Sequence, residues 1–245
     1  MVRRLLGDSR LATRSVMVTD TALETVRPLI AAHPGVPIFV VPQPVMNNVA
    51  GFNVHRGCLA LGERPGACAW RELARDARVL VILERISDPD NVGSAFRNAA
   101  AFGVDAVLLD PATADPLYRK AIRTSMGAAL LVPFARVPEW PQALSELGRE
   151  GVAVIALTPS STAPCVRTVA AEVSGRRVAL VLGHEGEGLT QAALDACELR
   201  ARIPMANGAD SINVATAGAI ALYELAGRNL SAEASAKADG PPEQS

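Results

Sequence analysis

From residue 78 onward the chain alternates short, almost uninterrupted apolar runs with amphipathic segments, and this alternation constrains the fold more than any other feature. The runs are "RVLVILE" (78–84), "AVLLD" (106–110), "ALLVPFA" (129–135), "VAVIAL" (152–157) and "VALVLG" (178–183); helical patterns lie near 91–102, 115–126, 139–149 and 211–226. Strands that are apolar on both faces need cover on both faces, and helices between successive strands supply it in a parallel sheet. The expected class is therefore α/β. Ligands of such sheets sit at the carboxyl ends of strands. The turn at 183–188, "ARIPM" (201–205) and the acidic "ERISDPDN" (84–91) all follow strands, so they can meet there.

The turn in "RRVALVLGHEGEGLTQAALDAC" (176–197) has the strand, glycines and helix of a nucleotide-binding turn. Its glycines fall at Gly183, Gly186 and Gly188, a G-x-x-G-x-G spacing that differs from the G-x-G-x-x-G of a dinucleotide fold, and Glu185 and Glu187 stand between them. Phosphate cradles work through bare backbone N–H groups and a helix dipole, and each added carboxylate opposes them. The expected ligand is neutral or cationic.

The first part of the chain reads as a smaller α/β unit: "SVMVT" (15–19), a helix at 21–32, "VPIFVV" (36–41) and "GCLALGE" (57–63). Residues 65–78 are charged, open with Pro65 and Gly66, and read as a linker that can turn helical. The expected divisions are 1–64, a linker at 65–78, the larger unit at 79–226 and a tail at 227–245, expected to be disordered because it holds one leucine and no apolar face. The net charge of −1 argues against a protein that coats nucleic acid. The average hides an asymmetry, for residues 1–78 hold ten arginines against six acidic residues, a possible RNA face. Four cysteines are scattered without any C-x-x-C, and His55 beside Cys58 is the nearest approach to a ligand pair, so no metal is expected. No apolar run approaches the roughly 18 residues of a membrane span, and no signal-peptide pattern follows the first arginines; the reading is cytoplasmic.

Three stretches could carry chemistry: "DPDNVGSAFRNAAAFGVDAVLL" (88–109), "LVLGHEGEGL" (180–189) and "RIPMANGADSINVATAGAIALYE" (202–224). Read from the residues, Asn91 and Gly103 can be the cap and the stop of a surface helix, and Ser211 can cap the last one. In order and spacing, the stretches, together with "YRKAIRTSMGA" (118–128), resemble the SpoU family of RNA ribose 2′-O-methyltransferases, within the SPOUT superfamily. The resemblance covers 79–226 and implies a catalytic domain with a parallel sheet and a trefoil knot. "GFNVHRGCLALGERP" (51–65) is similar, more loosely, to the family's substrate-binding domain, and the chain then begins after the first strand and helix of that domain.

The resemblance implies S-adenosylmethionine as cofactor and tRNA or rRNA as partner, in a homodimer that needs no metal. It implies catalytic roles for Asn91, Arg97, Glu185, Ser211 and Asn213. The cofactor would lie against Leu157, Thr158, Leu182, Gly183, Glu185, Gly186, Ile203, Pro204, Met205, Ile212, Asn213 and Ala215. A sulfonium and an ammonium are compatible with nearby carboxylates. A guanidinium keeps its proton in proteins, so Arg97 is assigned to the RNA phosphate and to orienting the 2′-hydroxyl, with phosphate oxygen or water taking the proton. The expected RNA contacts are Arg3, Arg4, Arg10, Arg14, His55, Arg56, Arg119 and Arg123, with His55 equally readable as a turn residue. The thin flank of the last helix, including Gly218, is expected at the dimer interface. The rival reading is a non-catalytic RNA-binding protein of the same fold, which the joint presence of the five polar site residues disfavours.

Overall fold

The structure, a computed structural model, describes residues 1–7, 10–206 and 211–238, with side chains described as far as Ala226. The chain divides into two compact units, Met1–Gly66 and Ala67–Ser245.

The first unit runs α1 (Val2–Gly7), β1 (Thr13–Val18), α2 (Asp20–Ala31), β2 (Ile38–Val40), α3 (Gln43–Ala50) and β3 (Cys58–Gly62). β1 is central, parallel to β2 and antiparallel to β3. The alternation of β1 turns Val16 and Val18 to one face, where they pack with Leu6, Val26 and Ile30 from the two covering helices. Thr19 starts α2 by accepting from the N–H of Ala22.

The second unit runs α4 (Trp70–Arg75), β4 (Val79–Leu83), α5 (Pro89–Ala101), β5 (Ala106–Leu109), α6 (Arg119–Thr124), β6 (Phe134–Arg136), α7 (Gln142–Arg149), β7 (Val152–Leu157), α8 (Val166–Glu172), β8 (Arg177–Leu182), α9 (Gln191–Ala196), β9 (Leu199–Ala201) and α10 (Val214–Ala238). Its six strands form one parallel sheet in the order β6-β5-β4-β8-β7-β9. The period of two along β4 divides the core. Val79, Val81 and Leu83 face Val92, Phe96, Val169 and Leu222 of α5, α8 and α10, while Leu80 and Ile82 face Trp70, Leu144, Leu147 and Ala193 of α4, α7 and α9. Burying such side chains is worth about 1.5–3 kcal/mol each for the larger ones, which explains why β4 is apolar at every position. Among the described residues, no helix is long and apolar enough to cross a membrane.

Three elements and one glycine differ from what the sequence leads one to expect. The expected linker at 65–78 contains α4, whose Trp70 and Ala74 are buried in the second unit, so the division falls after Gly66. Its apolar positions Trp70, Leu73, Ala74 and Ala77 follow the helical period within a charged stretch. The expected strand at 129–135 is a 3₁₀ turn, Ala128–Leu130, and pairing starts only at Phe134, after Pro133, which has no N–H to give to a ladder. The expected disordered tail is helical as far as Ala238, consistent with the helix propensity of its alanines, while residues 239–245 lie outside the described residues. Gly218 faces the sheet of its own unit, since a Cβ there would stand 2.7 Å from Leu182 Cδ1; the exposed side of α10 carries Ile220 and Tyr223 instead.

Candidate active site

The strand order reverses between β4 and β8, with β5 and β6 on one side and β7 and β9 on the other, which opens the place for a ligand at the carboxyl ends of these strands. The turn leaving β8 is fixed at both ends. Gly183 is packed so closely against the returning chain that a Cβ would lie 2.5 Å from the nitrogen of Leu189 and 2.6 Å from the carbonyl carbon of Gly188. At the far end, Glu84, fully buried at the end of β4, accepts from the N–H and the hydroxyl of Thr190 at 2.9 and 2.8 Å and from Trp140 Nε1 at 2.7 Å. Thr190 in turn caps α9 through the N–H of Ala193. Glu84 belonged to a stretch singled out in the sequence, yet its anchoring role has no sequence signature.

Burial, and after it the charge of Glu84, push the Cys197 thiol up to about 12, which leaves this cysteine an inert packing group. Glu187 of the same turn pairs with Arg85 at 2.7 Å, joining the β4 end to the turn.

The first turn of α5, the glycine turn and the start of α10 then meet through side chains. Asn91 Nδ2 donates to Glu185 Oε1 at 2.6 Å, and Asn213 Nδ2 donates to Asn91 Oδ1 at 2.8 Å. Asn213 Oδ1 accepts from the N–H groups of Ala215 and Thr216 and so caps α10. Ser211 therefore does not cap that helix. Nor does Asn91 cap α5, which opens at Asp88, accepting from the N–H of Asp90, with Pro89 in the first turn. With the cap supplied by Asp88, the Asn91 amide is available to bridge Glu185 and Asn213. One helical turn pair further on, Asn98 Nδ2 donates to the carbonyl of Ala215 at 2.7 Å and ties α5 to α10. Lys120 of α6 neutralises the same helix start, 2.9 Å from Asp90 and 3.6 Å from Asp88, and holds the Asp90 carboxyl below its usual range.

Beside this chain of amides lies a cleft of about 270 Å3. Of the expected residues, Leu157, Thr158, Leu182, Gly183, Glu185, Gly186, Ile203, Met205, Ser211 and Ile212 line it. Pro204, Asn213 and Ala215 do not: Pro204 is exposed, Asn213 is engaged with Asn91 and the helix start, and Ala215 is buried in the first turn of α10. His184 and Gly188 of the turn, which the sequence reading left without a role, also line the cleft, as do Pro159, Val214 and Ala217. Residues 207–210 lie outside the described residues. Among the described residues, no group of three or more His, Cys, Asp or Glu side chains could hold a metal ion.

Arg97 is exposed on α5, and its spacing of six from Asn91 turns it roughly 120° round the helix from that amide. It takes no part in the Asn91–Glu185–Asn213 chain. Arg119 and Arg123 are exposed on α6. In the first unit, Arg3, Arg4 and Arg56 surround the amino-terminal nitrogen, which burial first, and then these positive charges, hold below its ordinary pKa. Arg10 and His55 are exposed, and Arg14 is engaged by Glu63 at 2.6 Å.

The model of the SpoU rRNA methylase family matches residues 78–223. An uncharacterised tRNA/rRNA methyltransferase of Mycobacterium bovis is 43% identical over 224 residues, covering 91% of this chain and 77% of its own length. Among solved structures, the AdoMet-bound rRNA methyltransferase of Sinorhizobium meliloti aligns with a TM-score of 0.78 at 26% identity, over 94% of this chain and 84% of that one. An RNA 2′-O ribose methyltransferase aligns with a TM-score of 0.73 at 25% identity, over 94% and 86%.

Proposed function

The chain belongs to the SpoU rRNA methylase family, and from that premise we propose that it transfers a methyl group from S-adenosylmethionine to a ribose 2′-hydroxyl of structured RNA, tRNA or rRNA. The observation that carries the reading is the hydrogen-bonded chain Glu185–Asn91–Asn213, which joins the three motif segments at a cleft walled by apolar side chains and glycine backbone. The residues fit this cofactor. Leu157, Leu182, Ile203, Met205 and Ile212 offer apolar cover for a nucleoside, and Glu185, its side chain 27% exposed, offers a carboxylate to a cationic ligand where a phosphate would be repelled. When bound, S-adenosylmethionine supplies an electrophilic methyl group on a positively charged sulfur.

The protein's own part is alignment and charge. Asn91 and Asn213 hold Glu185 in one orientation, Ser211 presents a hydroxyl at the cleft, and Arg97, permanently charged, binds an RNA phosphate beside the reacting ribose and orients its hydroxyl. Arg3, Arg4 and Arg56 form the candidate RNA face of the first unit. The proposal extends to a cytoplasmic homodimer with a knotted catalytic domain, in which Ile220 and Tyr223, 39% and 65% exposed, replace Gly218 as the contact positions of α10.

Calorimetry with S-adenosylmethionine or S-adenosylhomocysteine, in buffer containing a chelator, tests the cofactor assignment. Saturable heat is expected without any metal, with a Kd of about 1–100 μM, equivalent to about 5.5–8.2 kcal/mol. Absence of heat with both ligands, from folded protein, contradicts the assignment.

A further inference from the structure

His184 sits inside the glycine turn and lines the cleft. Its Nδ1 accepts two backbone hydrogen bonds, from the N–H of Gly186 at 3.0 Å and from that of Glu187 at 3.2 Å. Its own carbonyl accepts from the N–H of Gly188 at 2.9 Å, closing the turn. An imidazole nitrogen that accepts carries no proton, so the hydrogen bonds assign the neutral ring with its proton on Nε2. That Nε2 stands 3.9 Å from Glu185 Oε2, while the other oxygen of Glu185 holds Asn91. The imidazole therefore touches both things the site needs: the path of the turn and the carboxylate at its edge.

We infer that His184 is a positioning residue of the cofactor site, that only its neutral, Nε2-protonated form holds the turn, and that protonation at Nδ1 releases the Gly186 and Glu187 N–H groups and weakens cofactor binding. The inference rests on the reading of the cleft as a site for S-adenosylmethionine. Histidine is the side chain suited to such a change between about pH 5 and pH 8. Among the described residues, the charged groups around the ring are Glu185 and Glu187 on the turn itself and Arg85, from the β4 end, paired with Glu187. Asn91 approaches from α5 without charge, and the opposite wall, Leu157, Thr158, Pro159, Ile203 and Met205, brings no titratable group. Glu185 favours the imidazolium, but an Nδ1 that has become a donor opposes the two N–H donors already there, so charging the ring exchanges the turn contacts for an ion pair. The sign follows: the turn is held at neutral pH, and the hold is lost as pH falls.

The test compares the full-length wild type with His184→Asn, whose amide oxygen can accept near the Nδ1 position without titrating, and His184→Ala, which removes the acceptor. Two quantities are read: hydrogen exchange at the Gly186 and Glu187 amides in ligand-free protein, and S-adenosylhomocysteine affinity. Wild-type affinity is expected to fall about tenfold from about pH 8 to about pH 5.5, with lower protection of both amides, taken relative to the intrinsic exchange rate at each pH, over the same interval. His184→Asn should stay within about threefold of wild type at the upper pH and lose the dependence, whereas His184→Ala should bind about tenfold more weakly throughout. Unchanged exchange and affinity in His184→Ala, or a full loss of affinity on acidification in His184→Asn, overturns the inference. Amides protected by His184 in a protein that binds no cofactor support its hold on the turn and contradict the reading of the cleft instead.

Discussion

Gly183→Ala is expected to lower S-adenosylmethionine affinity by about 100-fold or more, which corresponds to about 2.8 kcal/mol. The added Cβ would meet the nitrogen of Leu189 and the carbonyl carbon and oxygen of Gly188, at 2.5, 2.6 and 2.8 Å, and all three are backbone atoms. No flexible side chain is there to move aside, so the turn itself has to open, and it forms one wall of the cleft. Overpacking of this kind costs about 1–3 kcal/mol, which a domain of this size can absorb without unfolding. Calorimetry beside a thermal melt separates the two effects: a fold retained with binding lost. Gly186→Ala is the internal control. A Cβ at Gly186 meets only the imidazole of His184, at 3.6 Å, an ordinary contact. The turn should keep its path in that variant, and any affinity lost reports ligand contact. Gly183→Ala binding cofactor like the wild type contradicts the assignment of the cleft.

Asn91→Ala is expected to reduce methyl transfer by about 100-fold while changing cofactor affinity by no more than about threefold. Asn91 does not line the cleft, so uniform binding should survive, but it is the link between Glu185 and Asn213. Its loss frees the carboxylate to rotate, and small misplacements at a reacting centre are costly. Asn91→Asp should be at least as damaging at neutral pH. It places a carboxylate where the amide now donates to Glu185 at 2.6 Å, and two carboxylates at that range do not both stay ionised without strain. Activity in Asn91→Asp should partly return as pH falls and one of the pair takes a proton. Single-turnover rates with saturating cofactor across pH check both statements; a wild-type rate in Asn91→Ala removes Asn91 from the catalytic machinery.

The sheet was legible in the sequence because its strands are apolar at consecutive positions, as "VLVIL" and "VALVL" are, and a parallel sheet covered on both faces accommodates them. The segment "ALLVPFA" misled for the same reason. Apolar character records burial, and a buried 3₁₀ turn at Ala128–Leu130 has as much of it as a strand. Caps were harder. Asp88 and Asn91 are equally able to cap α5, as Ser211 and Asn213 are to cap α10, and the local sequence offers no way to choose. The choice is made by distant partners: Glu185, 94 residues from Asn91, and Asn91, 122 residues from Asn213. His184 was unreadable for a related reason, since its role depends on which ring nitrogen faces which N–H. Gly218 shows the limit of composition, because a thin helix flank indicates close packing without indicating whether the neighbour is the chain's own β8 or another subunit.

Whether the transferred methyl lands on ribose is decided by the nature of the labelled nucleoside. Purified protein is incubated with S-adenosylmethionine labelled in its methyl group and with unmodified tRNA and rRNA in separate reactions, and the RNA is digested enzymatically to nucleosides and, in parallel, by alkali. Label is expected in a 2′-O-methylnucleoside, recovered after alkali in a dinucleotide that resists cleavage because its 2′-oxygen no longer attacks the neighbouring phosphate. Label confined to a base, in RNA that alkali cleaves completely, contradicts it.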